Sequence, residues 1–179
     1  MEKNKIQLDE RMQKFILRWG ELASHWGLNR MEVQIHVLLF LSTRPLAAEE
    51  IAYKLSMARS SVSVSLKSLQ QWGLARIVRL AGDRRDHYET TKDVWETFRI
   101  AAKEQKRREI EPILSALRDT LAEFGSGSGN VEERKRLSDL HEFFEAVSTW
   151  FDSMRAVPTP LLRQMIKMGS KVSRLLQKK

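Results

Sequence analysis

Two groups of side chains near the middle of the chain have the chemistry that binding to a polyanion requires. The first group combines cations with small hydroxyl and apolar side chains, and its members are Arg59, Ser60, Ser61, Ser63, Val64 and Lys67. The second group is the guanidinium pair Arg84 and Arg85. Small hydroxyl side chains allow close approach to base edges, cations bind phosphate or guanine, and valine suits a thymine methyl group. These residue types predict a duplex-DNA interface.

The first group must lie on a helix that turns it away from the protein core. Val62, Leu66 and Leu69 recur with helical spacing, so this side of the helix faces inward. Val64 and Lys67 then lie on the opposite side, with the serines beside them. The alternative for this helix taken alone is a serine-rich face that is simply solvated.

The arginine pair lies at the tip of a predicted hairpin. Gly82 and Asp83 form a turn signal between strands predicted over residues 75–80 and 87–91. Arginines at such a tip suit the negative potential of a minor groove, and Asp83 is spaced to pair with Arg85 within the turn. A polar loop with a surface ion pair is the alternative. The presence of helix and hairpin together, at the expected spacing, favours DNA binding.

The elements that position both groups read as helix, tight turn, helix, strand, wing and strand from Pro45 to Thr91. This order predicts a mainly α fold with a small β-hairpin wing, a winged helix-turn-helix with additional helices. We predict these helices over residues 8–26, 30–42, 48–55, 59–71, 92–124, 131–154 and 161–176. Pro112 should kink or split the long one, because proline cannot donate the helical hydrogen bond.

Charge and composition limit which classes of function we expect for this chain. The net charge is +8, and residues 54–87 hold seven Lys or Arg against two acids, a local net charge of +5. The four histidines are scattered, there is no cysteine, and no glycine-rich phosphate loop or nucleophile motif occurs. We therefore expect no enzyme activity, no cofactor and no metal. The absence of a signal peptide and of a long apolar run predicts a cytoplasmic protein without membrane association.

The segment from Trp26 to Glu109 resembles the MarR superfamily of winged-helix regulators, and its GbsR-like branch most closely. The matching stretches are Trp26–Arg30, Pro45–Ile51, Ser61–Ser63, Leu66–Leu74, Gly82–Asp86, Asp93–Trp95 and Lys106–Glu109. Ser56 and Ala58 stand where such proteins often have glycine and serine. The resemblance implies a transcriptional regulator, a repressor in our prediction, that binds a pseudo-palindrome as a homodimer. It places Arg59 to Lys67 on the recognition helix and Arg84 and Arg85 on the wing.

The resemblance also implies that different segments of the chain have different roles. We predict an N-terminal dimerisation helix in residues 1–29, the DNA-binding domain in residues 30–91 and a helical dimerisation region in residues 92–179. The GbsR-like branch is associated with choline-type ligands and osmoprotectants, which aromatic cages bind by cation–π attraction. Phe15, Trp19 and Trp26 share one helical face and are the candidate ligand pocket. The favoured alternative is that this stripe packs against the partner subunit or the second helix.

Two other functions remain open. A general architectural protein would bind all DNA sequences alike. A protein- or membrane-surface module would use the last helix, where residues 163–179 hold six basic residues and no acids. We favour a dimer interface for that helix.

Overall fold

The computed structural model describes residues 8–124, 130–165 and 168. The chain forms two compact units, residues 1–100 and residues 101–179. The last predicted helix, residues 161–176, lies largely outside the described residues, and its described part belongs to a helical stretch over residues 159–165. Among the described residues, no helix has the length and apolarity to cross a membrane.

The first unit contains four helices, a small sheet and the beginning of a fifth helix. Its elements are α1 (Glu10–Ser24), α2 (Arg30–Leu41), β1 (Leu46–Ala47), α3 (Ala48–Leu55), α4 (Arg59–Gln71), β2 (Arg76–Arg79), β3 (Asp86–Glu89) and α5 (Val94–Gln105). The sheet is antiparallel in the order β1-β3-β2, with Leu46 opposite Tyr88 and Val78 opposite His87. The predicted helices and hairpin are confirmed within one or two residues at most ends, and β1 was not predicted.

The core of this unit lies between α2, α3 and α4. Its most buried apolar side chains come from these three helices, from β1 and from α1, and they are Ile16, Ile35, Leu38, Leu39, Leu46, Ile51, Leu55, Val62, Leu66 and Leu69. Asn29 caps α2 by accepting hydrogen bonds from the amides of Met31 and Glu32. Burial of one apolar face on each short helix fixes which residues remain on the surface.

Helix α1 packs on α2 through a close approach rather than through its aromatic stripe. A Cβ atom added to Gly20 would lie 2.5 Å from Cγ of Gln34, so only glycine fits there. Ile16 is fully buried on the same side. The adjacent stripe is exposed, and its members are Met12, Phe15, Trp19, Leu22 and Trp26. The second helix leaves most of the stripe uncovered, although Met12 lines the same hollow as Leu38 and Leu41 of α2.

The second unit is helical. It contains the end of α5, a π-helical turn (Lys106–Ile110), α6 (Glu111–Phe124) and α7 (Val131–Ala156). The predicted irregularity at Pro112 is confirmed, because the π-helical turn ends two residues before it. Proline has no amide hydrogen to donate to the carbonyl oxygen of Arg108. Lys106 is largely buried and pairs with Asp152 of α7 at 2.5 Å. Helix α7 leaves Leu140, Phe143 and Trp150 exposed.

A polar contact joins the end of α2 to the segment that follows the wing. Nζ of Lys92 donates hydrogen bonds to the carbonyl oxygens of Leu39 and Phe40. Beside it, Nε2 of His36 lies 3.3 Å from Oγ1 of Thr90. Burial, with the Lys92 ammonium as a second cause, lowers the pKa of His36 to about 4 from 6.5. His36 is therefore neutral in the folded protein near neutral pH.

Acid should weaken the fold through His36. Below pH 6.5 the unfolded chain binds a proton that the folded chain excludes until the pH approaches 4, so the free energy of unfolding falls across this window. A pKa shift of this size corresponds to a loss of about 3 kcal/mol in the free energy of unfolding. Urea titrations at pH 7.5 and pH 4.5 should show a smaller loss in His36→Gln than in the native chain. Equal losses in both proteins would contradict the assignment.

Candidate nucleic-acid interface

Helix α4 presents the predicted face to solvent. Val62, Ser65, Leu66 and Leu69 are buried on its inner side. On the outer side Val64 is 70% exposed. The structure also exposes Arg59, Ser60, Ser63 and Lys67 and leaves Ser61 half-buried. The predicted orientation of the helix is confirmed, and its apolar, hydroxyl and cationic groups share one accessible surface.

The beginning of α4 lacks a side-chain cap. The helix begins at Arg59 as predicted, and Ala58 precedes it in an extended conformation without a capping hydrogen bond. Ser56, the residue that follows α3, has a φ of 53°, the left-handed region that favours glycine. The amides of the first turn of α4 are thus not occupied by a capping side chain. Such amides attract phosphate when a helix approaches a nucleic-acid backbone.

The wing contains the predicted ion pair. Nε and Nη2 of Arg85 donate to the Asp83 carboxylate at 3.0 and 2.6 Å, and the Arg85 amide donates to the same group at 3.0 Å. These hydrogen bonds hold the pKa of Asp83 far below its usual range. Arg84 is exposed and makes no hydrogen bond or ion pair within the described part of the chain. The two arginines therefore differ, because Arg85 is tied to the turn and Arg84 extends from it.

His87 fixes the base of the wing and was not predicted. Its side chain is buried, with Nδ1 3.0 Å from the carbonyl oxygen of Arg85 and Nε2 3.4 Å from the Asp83 carboxylate. Both ring nitrogens thus face oxygen atoms of the turn. The only signal in the sequence was its alternation with exposed neighbours in a short strand. His87 links the loop conformation to the sheet.

Three other exposed side chains beside these elements were missed. Tyr53 on α3 is 64% exposed. Arg76 and Arg79 are exposed at the two ends of β2, and Arg76 pairs with Glu89 at 2.7 Å. The alternation along β2 could not have identified them as a pair, because residues three positions apart in a strand lie on opposite faces. Arg79 adds a positive charge near the wing.

The aromatic residues of the candidate ligand pocket are only partly brought together. Phe15 and Trp19 lie in ring contact on α1, with centroids 5.7 Å apart. Trp26 lies beyond the end of α1 and is 87% exposed. A cation gains most from aromatic rings when it is desolvated between them. A closed cage would therefore need a surface beyond those described, and the pocket stays a prediction.

One protein family and several solved structures are similar to this chain. The model of the MarR family matches residues 26–86, about a third of the chain. A solved structure of a transcriptional regulator superposes with a TM-score of 0.63 at 16% identity, covering 80% of this chain and 94% of its own. Two structures of mutant ZitR from Lactococcus lactis are 22% and 24% identical, with a TM-score of 0.33, and cover 69% of this chain and 75% of theirs. No curated protein matches the chain.

The first superposition confirms the predicted winged-helix fold. The family match confirms the resemblance to the MarR superfamily over residues 26–86, which hold both predicted DNA-binding groups. The GbsR-like branch stays a prediction. Among the described residues, no group of three or more His, Asp or Glu side chains is placed to hold a metal ion.

Proposed function

We propose that the chain binds duplex DNA sequence-specifically in the cytoplasm and represses transcription as a homodimer. The MarR family match over residues 26–86 supports this proposal. The observation that carries the proposal is the outer face of α4. An exposed helix face with serine hydroxyls, a β-branched apolar side chain and a lysine matches the donors, acceptors and methyl groups at the floor of a major groove. Direct readout by Ser60, Ser63, Val64 and Lys67 gives the specificity.

Charge placement supports the same proposal. Arg59 at the beginning of α4 and Arg84 at the wing tip are both exposed cations outside the helix face that reads bases. Contacts of this kind neutralise phosphates or enter a minor groove, and they orient a protein on the duplex without reading its sequence. Positioning by the arginines and readout by α4 are then complementary tasks.

Exposed apolar stripes support the homodimer. The stripe, with Met12, Phe15, Trp19 and Leu22 on α1 and Trp26 just beyond its end, leaves on the order of 500 Å² of apolar surface uncovered. A stable interface takes about 800 Å² from each partner, so the stripe supplies a large share of it. Apolar patches of this size are often functional. A second copy of the chain is the partner that this proposal assigns to it.

Selection of bound fragments from genomic DNA tests the proposal. We expect enrichment of a pseudo-palindromic site whose half-sites lie about one helical turn apart, since a symmetric dimer binds symmetric DNA. The affinity for this site should exceed that for unrelated DNA by about 10³-fold or more. Binding of all fragments alike would favour the architectural alternative and overturn a regulatory role. An enriched site without symmetry would contradict the homodimer.

A further inference from the structure

His87 is an ionisable side chain buried at the base of the wing. On the neighbouring strands, the residues opposite it are the uncharged Ala47 and Val78. Its Nδ1 lies 3.0 Å from the carbonyl oxygen of Arg85, and its Nε2 lies 3.4 Å from the Asp83 carboxylate. The ring therefore connects the sheet to two oxygen atoms of the turn, and its protonation state decides how well it binds them.

A neutral imidazole cannot satisfy both oxygen atoms, because it has one N–H group and one nitrogen lone pair. With the proton on Nδ1, the ring donates to the Arg85 carbonyl and its Nε2 lone pair faces the negative Asp83 carboxylate. With the proton on Nε2, the Nδ1 lone pair faces the carbonyl oxygen. An imidazolium has an N–H group at both positions, so it donates to the carbonyl oxygen and attracts the carboxylate. The observed turn conformation therefore suits the protonated ring best.

The charges around the turn come from its own residues and from α3. Hydrogen bonds from Arg85 hold the pKa of Asp83 far below its usual range, so this carboxylate stays ionised in weak acid. From the beginning of α3, Glu49 and Glu50 interact electrostatically with Arg85. A protonated ring thus shares the Asp83 carboxylate with a guanidinium that carboxylates on α3 also attract.

The neighbouring strand β2 and helix α2 place their ionisable groups elsewhere. Arg79 and Asp86 lie opposite each other in the sheet, and Asp86 directly precedes His87, so their side chains lie on the other face of the sheet. His36 of α2 contacts Thr90, and burial lowers the pKa of His36 to about 4. It therefore stays neutral over the range, about pH 5 to 8, in which histidine usually changes its charge.

We propose that His87 is a positioning residue of the wing and that its protonation strengthens DNA binding. The imidazolium holds the turn in the observed conformation, and its charge compensates the Asp83 carboxylate, which repels phosphate. Because DNA and the proton favour the same wing conformation, DNA binding is linked to uptake of a proton, and the affinity rises as the pH falls. This coupling depends on the proposed function, whereas the contact between His87 and Asp83 does not.

Titration of the full chain with the selected DNA site at pH 8 and pH 5.5, at one salt concentration, tests the coupling. We expect the affinity to be about tenfold higher at pH 5.5, a usual size for coupling between two sites. His87→Gln has an uncharged side chain and should bind with the same affinity at both pH values. His25→Gln, directly after α1, is the matched control and should keep the native response. Circular dichroism spectra at both pH values show whether each protein stays folded.

Asp83→Asn is a second variant, and it leaves the buried ring in place. At pH 6 a larger fraction of His87 rings should carry two ring protons in the native chain than in Asp83→Asn, because a nearby carboxylate favours the imidazolium. NMR spectra of the ring nitrogens measure this fraction without DNA. Asp83→Asn should also lose the dependence of DNA affinity on pH.

Equal fractions of doubly protonated rings in the native chain and in Asp83→Asn would overturn the positioning role of His87. A native pH response that persists in His87→Gln would overturn the coupling alone, as would DNA binding by the native chain with one affinity at both pH values. A chain that shows the NMR difference but binds no DNA at either pH would instead overturn the proposed function, and the coupling with it.

Discussion

Val64→Asp is expected to remove most of the discrimination between the selected DNA site and unrelated DNA. Val64 is 70% exposed on the outer face of α4, so a carboxylate there would meet the negative potential of the duplex instead of a thymine methyl group. Loss of readout at the centre of the helix should remove most of a preference of about 10³-fold. Competition titrations with specific and unrelated duplexes at one salt concentration measure the ratio.

Val131→Asp provides the matched control. Val131 is also an exposed helical valine, 84% exposed at the beginning of α7, and lies outside the winged helix. The same substitution there changes the net charge equally and should leave the preference for the selected site unchanged. Both variants should melt near the native temperature, since neither side chain is buried. A full preference in Val64→Asp would mean that the outer face of α4 does not read bases.

The facing of α4 could be predicted because the signal is local. Val62, Leu66 and Leu69 repeat within a single helix, and only one side of that helix can be buried. The turn between Asp83 and Arg85 was predictable for the same reason, since its partners are two residues apart. Periodicity and short-range pairing need no knowledge of the rest of the chain.

Contacts between distant segments could not be predicted in this way. The hydrogen bonds from Lys92 to the end of α2 join residues more than fifty positions apart, and the two-residue strand β1 exists only because β3 pairs with it. The aromatic stripe on α1 was identified, but its exposure was not. That exposure depends on Gly20, which lets α1 approach Gln34 with the neighbouring face. When either of two faces of a helix could be buried, the sequence of that helix alone does not show which face the rest of the chain covers.

Arg84→Ala is expected to weaken binding to the selected DNA site about tenfold at moderate salt. Arg84 is exposed at the wing tip without an ion-pair partner among the described residues, so its charge is available to the duplex. Loss of one such contact should reduce the slope of log affinity against log salt concentration by about one. Arg84→Lys keeps the charge and should keep the slope. Titrations at four salt concentrations measure both quantities.

Arg85→Ala should weaken binding more than Arg84→Ala, although Arg85 is neutralised by Asp83. Its removal leaves the Asp83 carboxylate without its guanidinium partner at the wing and also removes the side-chain hydrogen bonds that hold the turn. Asp83→Asn in the same chain should restore part of the affinity, because the added repulsion disappears while the lost turn contacts do not return. An unchanged salt slope in both arginine variants would mean that the wing does not contact DNA. Binding would then depend on α4 alone, and a helix without flanking contacts lacks the phosphate interactions that fix its register on the duplex.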